Sequence, residues 1–460
     1  MTAPSIEQAR AATAASDIAA HLHPFTNLAT LPQTGPLVIT RGDGIYVEDD
    51  RGNRYLEALS GLWCASLGFS NARLARAGSE ALRTLPYYHT FNGRSNPAAT
   101  ALAQKLLTLA PVPMSKVFFA NSGSEANDSA VKLVWYFHNA IGKPAKKKII
   151  ARTGAYHGVT LATASLSGLI PSHRDFDLPI ERILHVDCPH HARYAEPGET
   201  EEAFATRLAD ALDRRIQQEG PETVGAFIAE PVMGAGGVIV PPRTYFEKIQ
   251  KVLAKHEVLL IADEVICGFG RTGEMFGSTS FGLKPDILTA AKALSSGYAP
   301  ISAVMVSEKL HAAIAANSGK IGTFGHGFTY SGHPVSCAIA LETLQVYEDE
   351  NMLAHVKAVA PQFQQGLRRF AERRYVGEVR GIGLIGAIEL MQAPATRTAF
   401  DPAKKAGPRL AELALEEGLI VRAMTDAIAF CPPLITTTAQ IDELFARFER
   451  AMDRFEATFA

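Results

Sequence analysis

Between about Asn96 and Val306 the chain repeats one pattern: a short, continuously apolar run, then a stretch with helical periodicity. The runs are Lys116–Ala120, Lys148–Arg152, Ile183–Val186, Gly225–Ala229, Val258–Ala262, Ile287–Ala290 and Ile301–Val306. A strand that is apolar along its whole length has no face to give to water, so its sheet must be covered on both sides. Helices inserted between successive strands supply that cover and set the strands parallel. The expected fold is α/β, with a large, mostly parallel sheet covered by helices.

The flanks read differently. Met1–Ala20 is Ala-rich but carries Glu7, Arg10 and Asp17, which suits an amphipathic helix and not a signal peptide. Gly44–Leu56 alternates around an Asp/Gly/Asn turn, a hairpin signal. Beyond Pro334 come a long helical stretch, the strand-like Gly381–Leu390, a helix Pro408–Glu417, a strand Leu419–Arg422 and a last amphipathic helix Ala439–Arg454. At 460 residues the chain is long enough for more than one domain. Residues 1–75 and 334–460 are expected to form the two parts of a smaller α+β domain, and residues 76–333 the large one.

Bulk properties narrow the function. A formal net charge of −2 gives no electrostatic reason to expect nucleic acid or an anionic membrane as partner. The basic run Lys146-Lys147-Lys148 is short and reads as the solvated start of a strand. Five cysteines (64, 188, 267, 337 and 431) are dispersed with no CxxC pair, which suits reduced thiols in a cytoplasmic protein. No apolar stretch approaches the length of a membrane span.

The chemistry concentrates at strand ends. Lys292 closes the run Asp286-Ile-Leu-Thr-Ala-Ala-Lys292, just before a Gly-containing turn. Desolvation disfavours a charged amine, and a neutral lysine attacks aldehydes to form a Schiff base. Asp263 ends a second apolar run, and Glu230 a third. An amine and a carboxylate from neighbouring strand ends are the skeleton of a pyridoxal phosphate site, where the carboxylate keeps a pyridine nitrogen protonated. Ser122-x-x-Glu125 fits a capping box and puts Gly123 and Ser124 in the first turn of a helix, where free N–H groups suit a phosphate. Tyr156 and His157 follow the strand Lys148–Arg152, and an aromatic ring there can stack on a planar cofactor. Thr329 lies in a Gly-rich loop, Trp63 and Phe91 in loop-like stretches, and Arg422 at a strand end, where its fork could clamp a carboxylate. Taken singly, each is equally a cap, a turn residue, a core residue or a side chain reaching for water.

Other patterns are set aside. Gly268-Phe-Gly-Arg-Thr-Gly273 and Gly381-Ile-Gly-Leu-Ile-Gly386 match a dinucleotide fingerprint, but the first is followed by a stretch that does not read as helix and the second runs on as strand. His185, Asp187, Cys188, His190 and His191 fit no standard zinc spacing, and no metal site is expected.

Asn121-Ser-Gly-Ser-Glu-Ala-Asn127, Ala155-Tyr-His-Gly158, Ala229-Glu-Pro231, Ala262-Asp-Glu-Val-Ile-Cys-Gly-Phe-Gly-Arg-Thr-Gly273, Lys292 and Phe328-Thr-Tyr-Ser-Gly-His-Pro334 occur in this order. The chain thereby resembles the class III (ω-type) pyridoxal-phosphate aminotransferases of fold type I, from about Gly35 to the C-terminus. The resemblance implies pyridoxal 5'-phosphate (PLP) as cofactor, cycling through pyridoxamine phosphate (PMP). It implies a homodimer with active sites at the subunit interface, and leaves open whether dimers pair into tetramers. Lys292 would carry the cofactor and shuttle a proton, and Asp263 would pair with the pyridinium nitrogen. Gly123 and Ser124 would bind the phosphate, joined by Thr329 of the other subunit. Tyr156 and Val265 would pack on the two faces of the ring, with His157 and Glu230 beside it. Gly61-Leu-Trp-Cys64 and Ser295-Ser-Gly-Tyr-Ala-Pro-Ile-Ser302 resemble the amine:pyruvate branch more than the ornithine or 4-aminobutyrate branches. In that branch Phe25, Trp63, Phe91 and Ala235 would shape the substrate pocket, and Arg422 would bind the acceptor's carboxylate. The expected reaction is amino transfer from a primary amine or ω-amino acid to a keto acid such as pyruvate. The alternatives are an aminomutase or a decarboxylating member of the same class, and more remotely an NAD-dependent oxidoreductase.

Overall fold

The computed structural model describes residues 6–459. A helix spans Ile6–Ala20, and the first five residues of the expected N-terminal helix lie outside the described residues. Three strands follow: β1 (Ile39–Asp43), β2 (Tyr46–Asp49) and β3 (Arg54–Glu57). The central stretch supplies β4 (Lys116–Ala120), β5 (Lys148–Arg152), β6 (Ile183–Val186), β7 (Val224–Ala229), β8 (Leu259–Asp263), β9 (Ile287–Ala290) and β10 (Ser302–Val306). The C-terminal stretch adds β11 (Val376–Ile382), β12 (Ile385–Leu390), β13 (Leu419–Ile420), β14 (Arg422–Met424) and β15 (Ala427–Phe430).

The seven central strands form one sheet in the order β4-β10-β9-β8-β7-β5-β6. Strands β6, β5, β7, β8 and β9 are parallel, while β10 runs against both β9 and β4. The reversal has a plain cause. A parallel return needs a crossover of a dozen or more residues, usually a helix. Between β9 and β10 the chain makes only the 3₁₀ turn Lys292–Ser295 and a short loop. The lysine that stood out in the sequence therefore sits in the one return that breaks the parallel rule.

Both faces of the sheet are covered, as the apolar runs require. Ile149, Ala151, Ala226, Ile228, Leu259 and Ile261 pack on one side against the helix Gly123–Ala140. Their neighbours Ile150, Phe227, Ala229, Leu260 and Ala262 pack on the other, against the helices Glu201–Glu219 and Tyr245–Lys255. The period of two along each strand divides the side chains between the two layers.

Both ends of the chain meet in a second sheet, order β1-β2-β3-β13, where Leu419 and Ile420 pair in parallel with Leu56 and Glu57. A third sheet has the order β11-β12-β15-β14. The expected strand Leu419–Arg422 is therefore two strands. The chain leaves one sheet after Ile420 and joins another at Arg422, which starts β14 opposite Ala429. The expected helices Pro408–Glu417 and Ala439–Arg454 run Ala406–Glu416 and Thr438–Phe459. The stretch after Gly273, which did not read as helix, holds the short helix Gly277–Phe281. Its backbone N–H groups at Gly277 and Ser278 are taken by buried Glu264, a partner remote in sequence from that stretch. Lys146 is not solvated. It is buried, and its ammonium donates to the carbonyls of Val224, His256 and Glu257, so three backbone acceptors replace water. All five cysteines are free thiols. Among the described residues no helix is long and apolar enough to cross a membrane.

Candidate active site

The carboxyl ends of β5, β7, β8 and β9 open on one edge of the sheet, joined there by the end of β4, which runs in the same direction. A cavity of about 330 Å³ lies at this edge. Ligands in open α/β sheets bind outside the carboxyl ends of strands. Gly123, Ser124, Tyr156 and His157 line the cavity, as do Glu230, Asp263, Val265 and Lys292. Residues far apart in sequence thus meet because parallel strands end together.

The helix Gly123–Ala140 begins at the cavity wall. Ser122 caps it, its hydroxyl accepting the N–H of Glu125 at 3.1 Å. The expected capping box is incomplete: the Glu125 carboxylate reaches one residue further back and accepts the backbone and side-chain N–H groups of Asn121, at 2.7 and 2.8 Å. The Asn121 amide offers two donors where Ser122 offers one, so the carboxylate prefers it. The first-turn N–H groups of Gly123 and Ser124 have no partner within the helix and form the positive end of its dipole. A Cβ at 123 would lie 3.0 Å from Val265 and would crowd it unless that side chain shifted. Glycine is needed at 158, where φ is +133° and a Cβ would stand 2.5 Å from Ser124 Oγ.

Asp263 is held from several sides. Its Oδ2 accepts from Asn127 Nδ2 and His157 Nδ1, both at 2.7 Å, and its Oδ1 from the N–H of Val265 at 3.0 Å. Asn127 also donates to the His157 carbonyl and accepts from Thr289 Oγ1 at 2.7 Å. The His157 Nε2 is buried with no partner. Glu230 accepts the N–H groups of Tyr156 at 3.1 Å and Gly234 at 2.9 Å. Burial pushes the Glu230 carboxyl above the usual range, with His157 and Arg152 working the other way. Burial also raises the Tyr156 phenol, against the pull of nearby Arg422.

Lys292 has φ +49°, a left-handed conformation that a non-glycine residue keeps only when its surroundings over-determine it. Among the described residues its amine makes no hydrogen bond or ion pair. Arg422 is half-buried beside Tyr156, burial lowers its pKa, and its guanidinium is likewise without a hydrogen bond or ion pair there.

Other expected residues do not line the cavity. Trp63 is buried 3% exposed behind it, packed in the cluster with Ile266, which does line it. Phe25 is 69% exposed and Phe91 42%. Phe91 lies against Gly327, and Thr329 receives the Tyr87 hydroxyl on its carbonyl at 2.9 Å. Ala235 is half-buried in the loop between Met233 and Ile239. Two polar positions not expected at the site also belong to it. Asn127 lies one helical turn beyond Gly123 on the same face, and Thr289 is a hydroxyl inside an otherwise apolar strand. A buried polar residue in an apolar element requires a partner, and that is the signal each carries.

A sheet of this order, a lysine in its reversing loop, a braced aspartate at a strand end and a glycine-opened helix start define a pyridoxal-phosphate enzyme of fold type I. The chain matches the aminotransferase class-III family over residues 30–452 and belongs to it. It is 51% identical over 432 residues to gamma aminobutyrate transaminase 3, chloroplastic, of Solanum lycopersicum, covering 94% of this chain and 83% of that protein. It is also 51% identical over 418 residues to vanillin aminotransferase of Capsicum frutescens, covering 91% of each. The solved structure of the omega transaminase from Pseudomonas jessenii in complex with PMP superposes with a TM-score of 0.96 at 53% identity, covering 97% of this chain and 98% of that one. The protein is a PLP-dependent transaminase.

Proposed function

We propose that the amino donor is a primary amine or ω-amino acid and that the acceptor is a keto acid such as pyruvate. Amino transfer as such is carried by one observation, an Asp263 carboxylate braced by Asn127 and His157 in one cavity with a Lys292 amine that makes no hydrogen bond or ion pair among the described residues, and the acceptor class is supported by the half-buried Arg422 guanidinium beside Tyr156. The residues present fit the cofactor: a helix start that a Cβ at Gly123 would crowd, and an aspartate already fixed by Asn127 and His157. PLP, when bound, supplies an electron sink for negative charge at the substrate's Cα.

This chain's residues do the rest. Gly123 and Ser124 hold phosphate through backbone N–H groups, with Thr329 supplied by the second subunit of a homodimer. With PLP bound, Tyr156 and Val265 would pack on the ring, His157 and Glu230 would fix its surroundings, and Asp263 would place negative charge at its nitrogen. Lys292 takes the proton from the substrate's Cα and returns it. Arg422 binds the carboxylate of the keto acid, bidentately if its fork is presented squarely. Phe25, Trp63, Phe91 and Ala235, none of which lines the cavity of the single chain, would shape the space for the amine in the homodimer.

The comparisons lend support to the assignment of Trp63, Phe91 and Arg422. One solved relative is a variant with a tryptophan, a phenylalanine and an arginine replaced, engineered for asymmetric synthesis of enantiopure bulky amines. Trp63, Phe91 and Arg422 have the same residue types in the same order and spacing. The division into 1–75, 76–333 and 334–460 belongs to this reading, supported by the sheet that joins both ends. Dispersed free thiols support a cytoplasmic location.

The test is spectroscopic. The loaded protein should lose its visible absorbance when a primary amine is added without acceptor, and regain it with pyruvate. Failure to load with PLP, or absorbance indifferent to amine, would overturn the reading.

A further inference from the structure

Glu57 ends β3 without a cation. It is 5% exposed, and among the described residues it makes no ion pair. Its Oε1 accepts the N–H of Leu59 at 2.8 Å, and its Oε2 that of Gly61 at 2.9 Å. Both donors belong to a turn that the backbone resists. Ser60, Gly61 and Trp63 have φ of 53°, 68° and 65°, where only glycine sits without strain. Burying a carboxylate away from any cation is costly. A neutral amide in its place would offer one acceptor oxygen to two N–H groups.

The turn is keyed into the active-site wall. Trp63 packs in the cluster with Ile266, a cavity residue, and Cys64 lines the cavity itself, near enough for the Lys292 amine to act on its thiol. A Cβ on Gly297, in the loop after Lys292, would stand 3.2 Å from Cys64 Cβ. Just beyond the turn, the N–H of Leu67 donates to Ser296 Oγ at 2.9 Å, and Ser60 Oγ donates to the Cys431 carbonyl at 2.7 Å.

We propose that Glu57 is a positioning residue for the amine pocket: its two oxygens hold the Leu59–Cys64 turn in the strained form that packs Trp63 behind the cavity wall and sets Cys64 in that wall near Lys292, and thereby set which amines are accepted. The inference rests on the transaminase reading above.

Burial pushes the Glu57 carboxyl up to about 7. Protonation turns one acceptor oxygen into a hydroxyl facing an N–H, so the clamp is complete above that pH and weakened below it. Stability runs the other way. Because the folded value lies above the ordinary 4.5, the native state holds the proton more tightly than the unfolded chain, and this group's contribution falls as pH rises between the two. The other ionisable groups here are Cys431, which feels Glu57 and whose thiol burial lifts to about 11, and Cys64, Arg271 and Lys292, which bear on Cys431. Burial raises the Cys64 thiol as well. Arg271 donates to the carbonyls of Leu384 and Pro432, and to Ser60 Oγ of the turn at 3.4 Å.

Trp63 and Trp135 are the only tryptophans, so Trp135→Phe leaves Trp63 as sole reporter. In that cofactor-free background, Trp63 emission should shift as pH falls through about 7. Adding Glu57→Gln should give the acid-form spectrum throughout with no midpoint. In loaded protein Glu57→Gln should raise KM for the amine about tenfold, with PLP affinity and absorbance unchanged. A flat Trp63 profile, a midpoint that survives Glu57→Gln, or an unchanged amine KM with unchanged donor selectivity would overturn the proposal. Should Glu57→Gln fail to fold, Glu57→Asp, which keeps two acceptor oxygens on a shorter arm, is read for amine KM in its place, and an unchanged KM with unchanged donor selectivity overturns the proposal. A pH midpoint in a protein that no amine bleaches would instead count against the transaminase reading.

Discussion

The floor of the cavity and its lip are built differently. On the floor, each oxygen of Asp263 has a donor, and Asn127 ties it in turn to Thr289 and His157. At the lip, Phe25 and Phe91 stand exposed, and the Arg422 guanidinium makes no hydrogen bond or ion pair among the described residues. The floor is fixed by strand ends of one chain. The lip is spread over Phe25 and Phe91 in loops and Arg422 at the start of β14, which a single chain leaves partly facing water. Chemistry common to a class belongs on the rigid part, and selection among substrates on the part that loops can vary.

The sharpest way to break this contrast is on the floor. Lys292→Ala should abolish turnover, a loss of at least about 10³-fold, since on the proposed reading it removes both the group that carries the cofactor and the general base. Single-turnover rates with a primary amine measure it. Residual turnover within about tenfold of the parent would remove Lys292 from its role. Asp263→Asn should cost somewhat less, about 10²–10³-fold in kcat, because ring and lysine remain while the counter-charge is lost. The variant should still load with PLP, which absorbance reports.

Asn127 tests whether the bracing of Asp263 matters as well as its charge. Asn127→Ala removes one donor to a carboxylate and strands Thr289, a change worth about 1.5–3 kcal/mol. The expected cost is about tenfold in kcat with little change in amine KM. A loss confined to melting temperature would make Asn127 merely structural.

The floor was also the legible part of the sequence. Strand ends announce themselves as apolar runs closing in Asp263, Glu230 or Lys292, because a charged residue after such a run has nowhere to go but the sheet edge. What stayed hidden depended on pairing across the chain. Glu125 bonding Asn121 and not Ser122, Lys146 folded onto three carbonyls, and the break at Val421 between two sheets all turn on partners remote in sequence or on a choice between two adjacent donors. The reversal of β10 could be foreseen only by noting that Ala291–Ile301 is too short for a helical crossover.

At the lip the effects should be smaller and should separate the two substrates. Arg422→Ala is expected to raise KM for the keto acid about 10–100-fold, as for loss of a charge-assisted bidentate contact, while leaving KM for an apolar amine within about threefold. Equal effects on both would make Arg422 a structural residue of β14.

Thr329 gives the smallest effect and the most direct test of where the lip comes from. Its hydroxyl is one neutral donor to phosphate, so Thr329→Ala should weaken PLP binding by only about five- to tenfold, near 1 kcal/mol. The direction of complementation carries the information. If Thr329 serves the site of the other subunit, a dimer of one Thr329→Ala chain and one Lys292→Ala chain has one site with both Lys292 and a threonine across from it. Unfolding and refolding the two variants together should then yield a fraction that turns over at the PLP affinity of the parent protein, although neither variant alone does. If Thr329 serves its own chain, no pairing of these variants restores that site, and the mixture keeps only the weakened affinity of the Thr329→Ala protein. Activity measured against PLP concentration distinguishes the two without reference to the size of either defect.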